Sequence, residues 1–511
     1  MASLRRATSN IAAQVVSLAA GVIDRIVLVG LLLRSWGADE FASYAIVQSW
    51  AGLLLMVELG AQIYFQNEEQ NAFVRGDKAR FRRIAATHLG LSLCVVAPLA
   101  ALFTLLVFSG GADNVLRLPH FSLTSARWML WLLGVGNLLS VLRAPASTVF
   151  SATGDFAYVT LISAGSVVVN TLCAFVAVSL GAPPLTVAIL FFSLYGVGAG
   201  LFFHLAVRLR RGEWTGPPAL PSRAEFTGAV NHVKWFALQM IAPTVWLQTP
   251  VLVFASQGVA GAQIAAFLLM RTMVNQIRQS FQFAAVGAGL EIATFSHAGD
   301  HARAWDLTTQ VGRMTTVISG VFVGGILAFG PAVTYYWAGE PGLYDARIAM
   351  AMLVPLLIVA PLQQPVALLQ YANRSREIGL LRLGLVVFGP LGCVLGQVFA
   401  GPPGVAAGLG VAELLAYGLV APRLAAMPSM ARFFPYFGKT LGIGVAAAAV
   451  SGGAAFALNA IVEPATLAPF LAEVMVWGCA VVLPLLYSAL PEPLKRAALT
   501  RLGPASRGAS R

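Results

Sequence analysis

The chain has 511 residues, 58% hydrophobic and 11% charged, with a formal net charge of +12; soluble domains carry about 25% charged residues. So large an apolar fraction excludes a water-soluble domain. The basic surplus sits in short gaps between apolar runs, not on one face, which excludes a nucleic-acid-binding surface.

A helix needs about 20 apolar residues to cross a bilayer. Fourteen segments qualify: 8–33, 41–64, 84–109, 126–149, 157–181, 184–207, 233–256, 260–293, 307–338, 347–372, 378–399, 404–427, 437–461 and 466–490. The first follows only Arg5 and Arg6, is long, carries Asp24 and Arg25 and lacks a small-residue cleavage site. It reads as a retained span, not a signal peptide. The segments 260–293 and 307–338 are long enough to tilt or to extend beyond the membrane. The predicted fold class is therefore an all-α polytopic membrane protein.

Basic residues set the orientation. With the N-terminus inside, the great majority of the Lys and Arg fall in inner segments. Only Arg34, Arg117, Arg127 and Arg347 fall outside, and Arg25, Arg143, Arg271 and Arg278 lie within spans. Both termini are expected on the cytoplasmic side of the membrane. The outer turns "LGAPP", "SQGVAG" and "AGPPG" are near-minimal, which leaves no room for a soluble catalytic head. The inner segment 66–84, "QNEEQNAFVRGDKARFRRI", is expected to lie along the headgroups through its Phe and Arg residues. The Pro- and Gly-rich gap "RLRRGEWTGPPALPSRAEF" (208–226) follows span six, where a linker between six-helix halves would fall. The expected organisation is an N-terminal six-helix lobe at 1–212, a cytoplasmic linker at 213–232, a second six-helix lobe at 233–428, and an extra helix pair with a basic tail at 429–511.

Ionisable residues inside a membrane are costly, and so mark function first. Asp24 and Arg25 interrupt span one within "AGVIDRIVLVG". Adjacent helical residues point about 100° apart, so the two are not side-by-side partners. Gln14, Ser17, Gly21 and the Asp24/Arg25 pair follow helical spacing, which gives span one a polar stripe. Span eight carries a stronger ridge: Arg271, Asn275, Arg278 and Gln282. By a rise of 1.5 Å per residue, Arg25 and Arg271 lie roughly 12 and roughly 16 Å from their outer span ends, where snorkelling is difficult. A faint repeat aligns "FASYAIVQ" (41–48) with "IAAFLLMR" (264–271), and so Gln48 with Arg271. Such a ridge either binds neighbouring helices by hydrogen bonds or lines a water-filled cavity. Guanidinium groups in a cavity match phosphate oxygens in bidentate fashion; a carboxylate-bearing sugar is the second choice. Among the acids, Glu58 and Glu413 lie within spans, and each reads either as a coupling-proton carrier or as a counter-ion to an arginine. Asp24 is open in the same way, as tuning counter-charge or proton site. Span ten carries Pro355, Pro361 and Pro365, with Gln363, Gln364 and Gln370 at its inner end. These glutamines either line a polar path or satisfy carbonyls that the prolines free. Cys94, Cys173, Cys393 and Cys479 lie inside apolar runs without CxxC spacing, and the histidines are scattered, so neither a metal nor a disulfide is expected.

At "LLLRSWGADEFASYAIVQSWAGLLLMVELG" (31–60) the chain resembles the lipid-linked polysaccharide flippases of the multidrug/oligosaccharidyl-lipid/polysaccharide exporter superfamily. Members carry an "ARxLGxxxFGxYA"-like stretch, matched here by Arg34, Gly37, Phe41, Tyr44 and Ala45. Ala42 replaces the usual Gly, and Leu33 and Trp36 stand where Ala and Leu are usual. "VAGAQIAAFLLMRTM" and "LQYANRSREIGLLRLG" are also family-like. The resemblance implies two six-helix bundles around a central cavity, with alternating access. The two further helices fit the fourteen-span branch that includes the lipid II flippase, and cationic cavity residues would be Arg25 and Arg271. It also implies an undecaprenyl-pyrophosphate-linked oligosaccharide, of the O-antigen repeat-unit type, as substrate. No catalytic residue and no cofactor is expected beyond H+ or Na+ as coupling ion. Membrane lipids and the polysaccharide polymerase machinery are the expected partners of a monomer. Two other readings compete: an ion-coupled drug-type antiporter, which would favour an acid-lined cavity without two arginines, and a membrane polymerase or glycosyltransferase, which would carry a substantial outer loop.

Overall fold

The computed structural model describes residues 2–490 apart from 59–60, 117, 221, 341, 372–373, 427–431 and 463–465. Side chains at 2–8, 11, 58, 61, 223–236, 280–291, 293–294, 296–297, 370–371, 375 and 462 are also outside the description. The sequence-predicted residues Glu58, Gln282 and Gln370, the start of span seven and the basic tail fall on these positions.

Every regular element among the described residues is a helix, as an apolar chain without water to satisfy its backbone requires. Eleven helices are long and apolar enough to cross a membrane by length and composition. Two of these, Ala12–Val74 and Arg376–Ala425, each run through a glycine with non-helical backbone, Gly37 (φ 75°) and Gly401 (φ 62°). Both glycines occupy left-handed φ, where a side chain would strain the turn. Gly261–His297, which carries the span-eight ridge, is a continuous helix of 37 residues outside those eleven. Helix ends follow local chemistry. Asp77 accepts from the Arg80 N–H at 2.9 Å to start Lys78–Phe108. Asp300 starts His301–Ala338, and Gly339, left-handed at φ 77°, ends it.

The chain divides into two compact units: Met1–Leu268 with Leu385–Val398, and Leu269–Gly384 with Phe399–Arg511. In the first unit, the N-terminal helix packs along Phe156–Ser179, and Trp36 Nε1 donates to the Ala182 carbonyl at 3.1 Å. Phe81, Phe150 and Phe203 are completely buried in one core. The segment after Trp214 lies over Lys78–Phe108: Ala219 N–H donates to the Ala86 carbonyl at 3.0 Å, and a Cβ on Gly90 would stand 2.1 Å from the Ala219 oxygen.

The expectation that the Phe side chains of 66–84 meet the headgroups is corrected for Phe81, while Arg75, Arg80, Arg82 and Arg83 are exposed. Phe81 is 0% exposed and packs against Trp214 and Phe73, and Glu69 is 0% exposed. Ala61–Val74 is a helix packed on Ala144–Ala152 and Lys78–Phe108. Burying these aromatics in the protein core removes more apolar surface than the interface would. Charges border this end of the unit. Lys78 pairs with Glu213 at 2.5 Å, and Asp155 receives Arg211 Nε at 2.8 Å and Arg210 Nε at 3.1 Å. Burial alone would raise the Asp155 pKa, but the hydrogen bonds and charges of the two arginines hold it below the usual carboxylate range.

In the second unit, Phe433–Val462 runs against His301–Ala338 through small residues. A Cβ on Gly324 would stand 2.3 Å from the Ala448 carbonyl oxygen, and one on Gly320 would stand 2.3 Å from that of Gly444. Side chains stitch the contact: Ser451 Oγ donates to the Val321 carbonyl at 2.8 Å, and Asn459 Nδ2 to that of Ala328 at 3.1 Å. Trp477 Nε1, from Leu467–Trp477, donates to the Ser451 carbonyl at 3.1 Å. Such close backbone approach is how helices associate where no hydrophobic effect separates protein from lipid.

Gly324→Leu is expected to destabilise the protein by about 1–3 kcal/mol through overpacking. Gly453→Leu, at a position with open space around its Cβ direction, is the control expected to be near neutral; thermal unfolding of the purified variants measures both. Asp155→Asn is expected to lower the thermal midpoint at neutral pH. Because the folded pKa of Asp155 is depressed, its contribution is present above the unfolded value of about 3.9 and is lost as pH falls through the folded value. The gap between variant and parent should therefore close below about pH 4 in thermal melts across pH 3–7.

Candidate functional site

In the first unit, Asp24 and Arg25 point different ways, as helical geometry requires. Arg25 is exposed, whereas Asp24 is half-buried, with its Oδ1 2.5 Å from the Thr171 hydroxyl of Phe156–Ser179. That hydroxyl also lies 2.8 Å from the Val167 carbonyl oxygen, so the helix backbone holds it at the acid. Asn170, next to Thr171, has a buried Oδ1 without a hydrogen-bond partner. Asp24 and Arg25 share no salt bridge among the described residues, although the Arg25 charge acts on the Asp24 carboxyl. One turn below Arg25, Gly21 leaves open space where a Cβ would project. The resulting surface is a guanidinium standing over a small-residue gap, with the acid turned away into the helix interface.

Gln48 is exposed between buried neighbours, Ser43 to Val47 on one side and Ser49 and Ala51 on the other. Gly52, one turn along, is covered by the Gln248 side chain, whose Nε2 would be 2.6 Å from a Cβ there. Arg143, at a helix junction, stacks over the Tyr195 ring at 4.0 Å and donates its Nε to the Ser140 carbonyl at 3.2 Å. Its charge is thus held by an aromatic face and a carbonyl.

In the second unit, Arg271, Asn275 and Arg278 are all half-buried along Gly261–His297. Arg278 forms a two-pronged ion pair with Glu413, with Nη2 2.6 Å from Oε2. Glu413 is 4% exposed. The structure thus gives Glu413 the arginine partner that was one of its two sequence readings. Two arginines and one glutamate of this unit surround Tyr417, which follows Glu413 by one turn. Gln364 is completely buried, with neither side-chain atom hydrogen-bonded.

Of the sequence-predicted residues, Arg25, Gln48 and Asp24 belong to the first unit, and Arg271, Asn275, Arg278 and Glu413 to the second. Gln282 and Glu58 have side chains outside the described residues. Sequence reasoning missed Thr171 and Asn170, because hydroxyl and amide groups are common in spans and nothing in their spacing points to Asp24. It also missed a buried group in the first unit. Glu69 Oε1 receives the Thr148 hydroxyl at 3.1 Å and lies 3.9 Å from His88 Nδ1, and His88 stacks on Phe65 at 4.3 Å. The assignment of 66–84 to the interface hid it.

No family model matches the sequence, and no curated protein sequence matches it. Solved structures do match. An inward-facing multidrug-resistance MATE family transporter of the MOP superfamily aligns with TM-score 0.67 at 14% identity, over 81% of this chain and 98% of that one. The lipid II flippase MurJ in an inward closed conformation aligns with TM-score 0.68 at 12% identity, over 93% of this chain and 98% of that one. An outward-facing MATE transporter aligns with TM-score 0.52 at 16% identity, over 83% of this chain and 95% of that one.

The Arg278–Glu413 pair is expected to couple strongly, since removing one partner strands a buried charge at a cost of about 3–5 kcal/mol. Glu413→Gln alone should therefore destabilise more than Arg278→Gln/Glu413→Gln together in thermal or denaturant unfolding. The chain, a multi-pass membrane protein, shares its fold with the MATE family transporter of the MOP superfamily and with the lipid II flippase MurJ.

Proposed function

We propose that this protein is a flippase that moves an undecaprenyl-pyrophosphate-linked oligosaccharide from the cytoplasmic to the periplasmic leaflet of a bacterial inner membrane by alternating access. The observation that carries this reading is Arg25: a guanidinium in the middle of a membrane helix, exposed and unpaired among the described residues, while its neighbour Asp24 is engaged by Thr171. A permanent cation held there is suited to an anionic group that has to enter the bilayer region, and pyrophosphate matches the guanidinium fork. Arg271 and Asn275 on the span-eight ridge are the second unit's own candidates for an anionic group, and Gln48 is the first unit's candidate for sugar hydroxyls. The likeness to the lipid II flippase MurJ over 93% of this chain supports a lipid-linked substrate. The polyprenyl tail stays in lipid, and the polymerase machinery receives the product. H+ or Na+ would drive the cycle. Asp24 is the preferred coupling acid over Glu413, whose carboxylate is committed to Arg278.

A second reading, an ion-coupled antiporter of small molecules, is favoured by the equally good likeness to a multidrug-resistance MATE transporter. Deletion should then sensitise cells to drugs and leave surface glycan intact.

For the flippase, complementation of a deletion strain with Arg25→Ala or Arg271→Ala should lower surface polysaccharide at least about tenfold, the cost of a lost charge-assisted contact. Both variants should stay at parental levels in the membrane. Parental surface polysaccharide in both single variants would remove these two residues from the site.

A further inference from the structure

The second unit contains a charge imbalance that its ion pair leaves over. Arg278 and Glu413 neutralise one another. Arg382 lies on the same long helix as Glu413, on the other side of the Gly401 break, about 10 Å along the helix from Ser375. It makes no ion pair or hydrogen bond among the described residues, and its Nε is shielded from solvent without a partner. Gly384, two residues on, lies against Ala416, so these two arms are in contact at this level. Tyr417, buried beside Ala416, is within electrostatic reach of Arg278, Arg382 and Glu413, and within hydrogen-bonding reach of Gln363. Four side chains thus act on one phenol, two of them guanidiniums and one a carboxylate.

One formal positive charge left over among apolar helices is costly unless an anion meets it. The Arg382 side chain is half-buried, with its Nε shielded from solvent and without a partner. We propose that this cluster is an anion-binding site for a phosphate oxyanion, with Arg382 as its receptor. Arg278 is shared between the ligand and Glu413, and the Tyr417 hydroxyl is available as a further donor. Phosphate is chosen among anions because its oxygens fit the guanidinium fork. That choice rests on the proposed function; the existence of an anion site does not. The oxyanion has two sources, the pyrophosphate of a substrate or the headgroup of an anionic lipid.

The test uses the purified full-length protein in phosphatidylcholine nanodiscs, titrated with sodium pyrophosphate by calorimetry. The background is Arg25→Ala/Arg271→Ala, which removes the arginines of the proposed function. Saturable binding should persist there and weaken at least about tenfold when Arg382→Gln is added, while Arg382→Lys, which keeps charge but loses the fork, should fall between. Glu413→Gln should tighten binding, because it removes the carboxylate that competes for Arg278; a merely structural role for the cluster would not produce this. If Arg382→Gln does not unfold cooperatively, Glu413→Gln decides alone. Repeating the titration in phosphatidylglycerol nanodiscs separates the sources. Weaker pyrophosphate binding that depends on Arg382 assigns the site to a lipid headgroup, and unchanged binding assigns it to a soluble or substrate-borne pyrophosphate. Absence of saturable binding in both nanodiscs, indifference to Arg382→Gln, or an unchanged affinity in Glu413→Gln overturns the proposal. Parental polysaccharide in the Arg25 and Arg271 variants would remove the proposed flippase site and leave this site standing, whereas loss of the Arg382 effect alone would leave the flippase standing.

Discussion

Hydrocarbon offers no hydrogen bonds, so a polar group placed in it must carry its partner with it. For the backbone, this makes every regular element among the described residues a helix. For side chains, it sorts the ionisable residues by what they have found. Asp24 has a hydroxyl, Glu413 has Arg278, and Arg143 has an aromatic face and a carbonyl. Arg25 and Arg382 have no such partner among the described residues, and these are the positions where a ligand would complete the set. Function in such a chain is found by asking which charges are left over.

The departures from regular helix follow the same logic. Gly37 and Gly401 allow abrupt non-helical backbone within otherwise continuous helices. A widened π-helical stretch at Phe191–Gly198 lets Gly196 come against Gly136 and puts Tyr195 under Arg143. Each irregularity is local, confined to one glycine or one widened turn.

Spans were legible in the sequence because hydropathy over some 20 residues is a property of composition alone. The separation of Asp24 from Arg25 was legible too, since helical angles need no tertiary information. Partners were not. Glu413 reaches Arg278 across 135 residues, and Thr171 reaches Asp24 across 147. Nothing local marks either contact. The inner segment 66–84 misled because Phe and Arg side by side suit an interface and a protein core equally well; only the position of Trp214, far along the chain, decides for the core. Arg382 counted as one more inner basic residue until its Nε proved dry.

The contact between His301–Ala338 and Phe433–Val462 has a mechanical meaning. Where long side chains interdigitate, two helices can slide by exchanging rotamers. At Gly320, Gly324, Gly444 and Gly452 there is nothing to exchange: backbone rests on backbone, and serine and asparagine pin the register. A shift along the axis would drive carbonyls into one another. Phe433–Val462 is therefore fastened to its neighbour like a splint. In any transport cycle it should be carried along as ballast of that helix, and so cannot serve as a lid that opens by itself.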